Sequence, residues 1–161
     1  MINRSRQVSA KDYALRLLSI RPRSVREIID RLARKGYDLQ AVDSVVADLA
    51  ELGLLDDAKF AKLWIESRTA LRPMGASRLR AELARKGVAR GLIDQALADS
   101  SKDRDEEGAA MELASRKLRS LRSLDPAVAR RRLAGFLSRR GFSAATVSGV
   151  LKELPQKDFS E

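Results

Sequence analysis

Residues 32–37, which read "LARKGY", decide the fold because the chain repeats their pattern twice. Residues 83–88 read "LARKGV" and residues 137–142 read "LSRRGF". A glycine can take the left-handed backbone conformation that ends a helix, and the leucine and the last apolar residue are the pair that touches in a Schellman cap. The two cations lie where the helix dipole favours positive charge. The pattern therefore predicts three helix ends, at Gly36, Gly87 and Gly141.

The residues around each glycine repeat as well, and the three glycines lie 51 and then 54 residues apart. Apolar residues at helical spacing begin six residues after each glycine, at Val42, Ile93 and Val147. A proline precedes each glycine by 14 or 15 residues, and a further helical pattern precedes each proline. One copy is thus three helices, and such a unit buries too little apolar surface to stand alone. The sequence predicts an all-α fold of three tandem three-helix repeats packed end to end.

Helix-capping residues and polar stretches locate the limits of these repeats. Asp38 and Ser143 can cap the last helix of the first and third copies, whereas Ala89 stands at this position in the second. We therefore expect the start of that helix to be less firmly set. A hydrophilic stretch at residues 100–108 joins the second and third copies. The predicted organisation is a flexible arm at 1–8, repeats at 9–53, 54–100 and 101–154, and a tail at 155–161.

Composition excludes several classes of function. The chain has no Cys and no His, which excludes disulfides, Cys/His zinc sites, thiol nucleophiles and imidazole acid–base chemistry. No apolar run reaches the roughly 18 residues of a membrane span, and the first residues lack the apolar middle of a signal peptide. No Walker-type or dinucleotide-type glycine pattern occurs. We expect a cytoplasmic protein that binds no membrane and no cofactor.

Positive charge is spread along the whole chain. The formal net charge is +10, and Lys and Arg exceed Asp and Glu by 3, 4 and 3 in residues 1–55, 56–104 and 105–161. This even spread favours a long surface that faces a polyanion or an acidic partner, with ordinary solubility as the plainer alternative. The candidate contacts with a partner or with nucleic acid are the cations near the helix ends: Arg34, Lys35, Arg72, Arg78, Arg80, Arg85, Lys86, Arg131, Arg132, Arg139 and Arg140.

Acidic residues at Asp56 and Asp57, with Glu66 beyond them, could hold magnesium in a hydrolase. The sequence favours another interpretation, in which Asp56 caps a helix and Asp57 lies in its first turn. Glu66 then falls on nearly the opposite side of that helix. We therefore predict no catalytic residue and no metal ligand, and we expect that the protein is not an enzyme.

Two further residues have both a structural and a functional interpretation. Trp64 is the only tryptophan and shares a helical face with Phe60, Leu63 and Leu71. This face favours packing in the core over stacking on a base. Gly75 precedes a helix and could lie in a phosphate-binding turn. A single glycine is weak evidence for such a turn, so a plain loop is predicted.

The middle copy resembles the core signature of the RecX family, bacterial regulators of the RecA recombinase. The resemblance is carried by residues 54–68, "LLDDAKFAKLWIESR", and residues 72–88, "RPMGASRLRAELARKGV", and it extends more loosely over residues 10–154. Arg80 and Ala89 depart from it, since an apolar residue and a helix cap are more usual there. The matching residues, most of them structural, are Asp56, Asp57, Phe60, Ala61, Arg72, Gly75, Leu79, Leu83, Lys86 and Gly87.

The resemblance implies a curved, elongated array of three helix-turn-helix-like repeats. It also implies a monomer that binds along the groove of the RecA–DNA filament and spans adjacent protomers. Such proteins inhibit ATP hydrolysis, strand exchange and co-protease activity, and so regulate homologous recombination, DNA repair and the SOS response. The implied partners are the RecA filament and, through weak and salt-sensitive contacts, single- and double-stranded DNA. The alternative is a helix-turn-helix-type protein that binds DNA directly.

Overall fold

The computed structural model describes residues 8–102 and 104–154. All regular structure within these residues is helical, as the sequence predicts. The predicted tail and all but the last residue of the predicted arm lie outside the described part of the chain. The helices are α1 (Ala10–Ile20), α2 (Val25–Lys35), α3 (Leu39–Glu51), α4 (Asp57–Leu71), α5 (Ala76–Arg85), α6 (Arg90–Ser101), α7 (Glu106–Leu118), α8 (Pro126–Arg139) and α9 (Ala144–Glu153), with a 3-10 turn at Arg119–Leu121 after α7.

The three predicted helix ends are confirmed. Gly36, Gly87 and Gly141 have φ angles of 92°, 80° and 88° and end α2, α5 and α8. In each copy the amide of the residue after the glycine donates to the carbonyl of the leucine that lies four residues before the glycine. The three distances are 3.3, 3.2 and 3.3 Å in chain order. This bond is the one that defines a Schellman cap. The triplicated phrase is therefore the same helix stop, used three times.

The starts of the last helices differ between copies as the sequence predicts. The side chain of Asp38 accepts a hydrogen bond from the amide of Ala41 at 2.8 Å, and the Ser143 hydroxyl accepts one from the amide of Thr146 at 3.0 Å. Ala89 has no side chain that could make this bond, and α6 begins without one. The middle copy therefore lacks one of the contacts that fix helix starts in its neighbours.

Each group of three helices has its own hydrophobic core. We call α1–α3 unit 1, α4–α6 unit 2 and α7–α9 unit 3. The buried apolar residues form three separate clusters, one in each unit. The large apolar side chains that are fully buried at their centres are Ile28, Leu32 and Leu49 in unit 1, Ile65, Leu79, Leu83 and Ile93 in unit 2, and Leu133 and Leu137 in unit 3. The units are consequently held to one another by localised contacts rather than by a shared core.

One predicted helical face is partly wrong. Phe60 is buried and Trp64 is half-buried, but Leu63 is 39% exposed and Leu71 is 77% exposed. The residues of α4 that enter the core of unit 2 are Phe60, Ala61 and Ile65. The buried stripe is thus rotated around the helix relative to the predicted one, because α4 packs against both α5 and α6. None of the helices in the described part of the chain is long and apolar enough to cross a membrane.

Candidate functional site

The units meet at two joints that have the same backbone plan. At the first joint, between units 1 and 2, the Ser24 hydroxyl donates to the carbonyl of Lys86 at 2.6 Å. At the second joint, between units 2 and 3, the amide of Gly75 donates to the carbonyl of Arg140 at 2.9 Å. Ser24 and Gly75 are the N-cap residues of α2 and α5, and the two acceptors precede the glycines that follow α5 and α8. In both joints, therefore, the N-terminus of one unit's middle helix contacts the C-terminus of the next unit's middle helix: α2 contacts α5, and α5 contacts α8.

Close approach at the joints requires glycine. A Cβ atom on Gly75 would lie 2.2 Å from the carbonyl carbon and oxygen of Gly141, and a Cβ atom on Gly87 would lie 2.5 Å from the Cβ of Arg26. Gly36 has no neighbour within 4 Å of the equivalent position. The amide of Gly75 points at the backbone of unit 3, which explains this glycine by packing between units rather than by a phosphate-binding turn.

The first joint contains a network of charges that neutralise one another. The carboxylate of Glu27 lies 2.9 Å from the guanidinium of Arg21 and 3.0 Å from the ammonium of Lys86. It also accepts a hydrogen bond from the amide of Ser24 at 3.2 Å. Burial by itself raises the pKa of Glu27, but the hydrogen bonds from Arg21, Lys86 and Ser24 outweigh it and lower the pKa to about 2. The network therefore holds Glu27 in its ionised form.

Trp64 completes the first joint. The Lys86 ammonium lies 4.1 Å from the centroid of the indole ring, and the Arg68 guanidinium carbon lies 4.3 Å from it. The indole N–H donates to the carboxylate of Glu82 at 3.2 Å, and Glu82 also pairs with Arg68 at 3.1 Å. Cations over an aromatic face are stabilised by its quadrupole. Trp64 is therefore occupied by contacts within the protein, in agreement with the packing interpretation.

The two neighbouring aspartates serve helix ends. Asp56 caps α4 by accepting from the amide of Lys59 at 2.9 Å, and Asp57 accepts from the amide of Val25 at 2.9 Å. Burial raises the pKa of Asp57, opposed by this hydrogen bond. Asp57 thus ties unit 2 to the start of α2 in unit 1. Across residues 8–102 and 104–154, no three potential metal-binding side chains come together.

The second joint opens into a groove of about 450 Å³ that carries four cations. We call the set Arg72, Arg116, Lys117, Phe136 and Arg140 the cationic groove. The Arg140 guanidinium carbon lies 5.3 Å and the Lys117 ammonium 5.9 Å from the centroid of the Phe136 ring. Of the four cations, Arg116 pairs with Glu112 at 3.0 Å, and the other three form no ion pair with any carboxylate in the described ranges. The groove is therefore an open site of uncompensated positive charge.

The structure brings four of the predicted contact residues together at the second joint. Arg72 and Arg140 line the cationic groove, and Arg78 donates to the carbonyl of Arg139 across the joint at 3.3 Å. Lys86 is instead half-buried in the first joint, where its ammonium pairs with Glu27. Apart from these, Arg80 pairs with Asp94 at 3.1 Å, and the remaining candidates lie exposed on separate parts of the surface: Arg34, Lys35, Arg85, Arg131 and Arg132.

Several residues of the joints were not among the sequence candidates. Arg116 and Lys117 belong to the cationic groove, and Glu27 and Glu82 neutralise the first joint. Aligning the copies position by position would have identified the acidic pair. Glu27 lies 51 residues before Arg78, and Glu82 lies 54 residues before Phe136. The copies therefore differ in charge at the positions that face each joint.

Family models match all three units. A model described as the first three-helix domain of RecX matches residues 10–49, the second matches residues 56–97, and the third matches residues 105–151. The matched segments contain the helices of units 1, 2 and 3 in the same order. The spacing that the repeated glycines give is thus also the spacing of the three matched domains.

Whole-chain comparisons give the same result. The chain is 37% identical over 148 residues to the regulatory protein RecX of Amycolatopsis mediterranei, covering 92% of this chain and 84% of that one. It is 36% identical over 154 residues to the regulatory protein RecX of Pelodictyon phaeoclathratiforme, covering 94% of both. The crystal structure of RecX from Lactobacillus salivarius superposes with a TM-score of 0.82 at 19% identity, covering 90% of this chain and 94% of that one.

Proposed function

Because the chain belongs to the RecX family of regulatory proteins, we propose that it binds along the groove of the RecA–DNA filament and inhibits the recombinase. The family consists of regulators without enzymatic activity, so the prediction that the protein is not an enzyme is confirmed. The proposed effects are loss of ATP hydrolysis, strand exchange and co-protease activity. The proposal places the protein in the cytoplasm, as a regulator of recombination, DNA repair and the SOS response.

The observation that carries this proposal is the repetition of an exposed cation at the same place in every unit. Arg34, Arg85 and Arg139 each lie two residues before the glycine that follows the middle helix, and each is exposed. Equivalent positions in tandem units recur at regular intervals along the array. A filament also presents its surface at regular intervals, so three equivalent cations suit a polymeric partner better than a small ligand.

Inhibition of this kind requires preference for one filament state. A protein that contacts several protomers at once stabilises the geometry in which all its contacts are made. It can shift the equilibrium only by the difference between its affinities for the two geometries. The three units have separate cores, so each unit can keep its own structure while it contacts a different part of the filament.

The test is ATP hydrolysis by a filament of RecA on single-stranded DNA, measured as the purified protein is added. We expect hydrolysis to fall, and we expect the Arg34→Glu/Arg85→Glu/Arg139→Glu variant to need at least ~10-fold more protein for the same inhibition. The matched control is Arg16→Glu/Lys59→Glu/Lys152→Glu, which reverses one exposed cation in each unit away from the glycine turns.

Two outcomes would contradict the proposal. Unchanged hydrolysis at excess wild-type protein would remove the filament as the partner. Equal loss of inhibition in the two triple variants would show that total charge, rather than the repeated position, determines binding. Tight and sequence-selective binding to duplex DNA without recombinase would favour the alternative of a direct DNA-binding protein.

A further inference from the structure

The second joint keeps the cations of the first. The fully buried residues Ala61 and Ile65 of α4 correspond to Ala110 and Ala114 of α7, which are also fully buried. This correspondence places Lys117 at the position of Arg68, and the repeated glycines place Arg140 at the position of Lys86. In both joints the two cations lie near one aromatic ring, Trp64 in the first and Phe136 in the second. Arg72 likewise corresponds to Arg21, since each directly precedes the proline of its copy.

The second joint does not keep the carboxylates. Glu27, which pairs with two cations in the first joint, corresponds to Arg78. Glu82, which pairs with Arg68 and with the indole of Trp64, corresponds to Phe136. An aromatic ring holds cations in place without cancelling their charge. Among the described residues, Arg72, Lys117 and Arg140 are therefore positioned like the cations of the first joint but pair with no carboxylate. Arg78 pairs with Glu82 at 3.5 Å within unit 2.

We propose that the cationic groove at the second joint binds the phosphate groups of a single DNA strand. This inference deepens the proposed function, and rests on it for the biological context, by naming where the chain holds the DNA of the filament. Arg72 and Arg140 each carry a planar guanidinium group, which can donate two parallel hydrogen bonds to the oxygens of one phosphate. Lys117 adds a point charge to the same groove, with its ammonium 5.9 Å from the centroid of the Phe136 ring.

A DNA strand suits this groove better than an acidic protein surface. The site is an open groove, and its cations come from three helix ends that converge on it: the ends of α4, α7 and α8. A single strand is thin and flexible and carries one charge at each nucleotide, so it can enter such a site. The carboxylates of a folded protein are attached to a broad surface. Leu71, which is 77% exposed beside the groove, offers apolar contact to a sugar or a base without selecting a sequence.

The first experiment measures binding of fluorescein-labelled oligothymidylate, roughly 16 nucleotides long, by anisotropy at several salt concentrations and without recombinase. We expect Arg72→Gln/Lys117→Gln/Arg140→Gln to weaken binding at least ~10-fold at low salt. The slope of log affinity against log salt should fall by about 2, because each phosphate contact on a single strand contributes roughly 0.7. The matched control, Arg16→Gln/Lys59→Gln/Lys152→Gln, also removes three positive charges and should stay within about twofold of wild type.

The second experiment introduces into the second joint a carboxylate like the one that Glu27 supplies in the first. Arg78→Glu places a carboxylate at the position that Glu27 occupies in the first joint. It also removes the hydrogen bond of Arg78 to the carbonyl of Arg139 and its ion pair with Glu82, so Arg78→Gln, which removes both without adding a carboxylate, is the control. We expect Arg78→Glu to weaken binding of the same oligothymidylate about as much as the triple variant and more than Arg78→Gln, because only the new carboxylate neutralises the groove. A melting temperature equal to that of Arg78→Gln would show that the additional loss is not caused by unfolding.

The outcomes separate this inference from the proposed function. The inference would be overturned if the control variant lost as much oligothymidylate affinity as the triple variant. It would also be overturned if duplex binding depended on the three cations and single-strand binding did not. The inference would also fail if the triple variant kept its DNA affinity but lost inhibition of the filament, since the groove would then contact the recombinase itself. If the wild-type protein left ATP hydrolysis unchanged while the groove variants lost DNA affinity, the proposed function would fail and the inference would stand.

Discussion

The two joints of the molecule share a backbone design and differ in what their side chains do with charge. In both, the N-cap of one middle helix contacts the glycine turn that ends the next, through Ser24 and Lys86 or through Gly75 and Arg140. The first joint encloses its cations with two carboxylates, whereas the second leaves them open to solvent in a groove. A tandem repeat can thus keep one way of attaching its units and still give one attachment a structural role and the other a binding role.

The shared part of the design follows from the needs of helix ends. The first amides and last carbonyls of a helix have no partner within it. At the second joint the amides of Gly75 and Ser77 reach the carbonyls of Arg140 and Gly141, at 2.9 and 3.2 Å. The helix dipoles also meet positive end to negative end. At the first joint side chains satisfy the helix ends instead, since the Ser24 hydroxyl donates to the carbonyl of Lys86 and Asp57 accepts from the amide of Val25. The helix arrangement is thus shared while the side chains around each joint differ.

The largest effect is expected from closing the space at the second joint. Gly75→Val places a side chain 2.2 Å from the backbone of Gly141, which cannot rotate away as a side chain would. We expect a loss of about 3 kcal/mol in the free energy of unfolding, from the strain of overpacking. Urea unfolding followed by circular dichroism measures it. The oligothymidylate affinity should fall as well, because Arg140 is displaced from the groove.

Gly91→Ala is the control for this substitution. Gly91 lies in α6 with open space around it, and alanine there should stabilise the helix by up to about 1 kcal/mol. If Gly75→Val unfolds at the same urea concentration as wild type, units 2 and 3 are not held together at this joint in solution.

The next prediction compares the effects of substituting equivalent residues of the two joints, Lys86 and Arg140, on stability and on DNA affinity. Lys86→Gln removes the ion pair with Glu27 and the contact with Trp64, and we expect it to lower the free energy of unfolding by about 2 kcal/mol. Its effect on oligothymidylate binding should be small. Arg140→Gln should do the reverse, with a stability change within about 0.5 kcal/mol and an affinity loss of roughly 3- to 10-fold.

Urea unfolding and fluorescence anisotropy on the same two variants check this prediction. The comparison would fail if both substitutions lowered stability equally, because the second joint would then use its cation structurally as the first does. It would also fail if Lys86→Gln weakened DNA binding as much as Arg140→Gln, because the ammonium of Lys86 would then be available to a ligand despite its pairing with Glu27.

The sequence was sufficient to predict the three-unit helical plan, because that plan depends on local signals. A glycine that must take a positive φ, a leucine and an apolar residue that meet across it, and polar caps such as Asp38 act within a few residues of one another. The glycine and its apolar pair also occurred in all three copies, which separated this signal from chance. The elongated and curved shape and the exact domain limits, which depend on how units are placed, stay predictions.

The joints could not be predicted because they are made by residues far apart in the chain. Ser24 and Lys86 are 62 residues apart, and nothing near either residue indicates the other. The same reason explains why Leu63 was assigned to the core. Its spacing fits an apolar face, but the packing of α4 on two helices selects another face. The sequence likewise predicts Lys86 as a contact for a partner or nucleic acid, and gives no sign that its ammonium pairs with Glu27 of the neighbouring unit.

The smallest predicted effect is the response of the first joint to acid, for which the second joint has no counterpart. Glu27 has a pKa of about 2 in the folded protein, below the usual 4.5 of an unfolded chain. The folded state therefore gains stability from ionised Glu27 above the unfolded pKa, and this gain is lost as the pH falls toward about 2. After allowance for solvent screening, we expect the gain to be about 1 kcal/mol at neutral pH. The groups that face this carboxylate are Arg21, Lys86 and Asp57, and the raised pKa of Asp57 acts in the opposite direction.

The difference between wild type and Glu27→Gln measures this contribution together with the effect of Glu27 on Asp57, whose pKa it raises. We expect wild type to be more stable by about 1 kcal/mol near pH 6 and the difference to shrink toward zero near pH 2.5, in urea unfolding at the two pH values. Glu112→Gln, which removes the exposed partner of Arg116 in unit 3, should keep the acid response of wild type. A difference between wild type and Glu27→Gln that does not change with pH would mean that the carboxylate acts only through hydrogen bonds that glutamine can replace. In that case the charge of the first joint, unlike its geometry, would not distinguish it from the second.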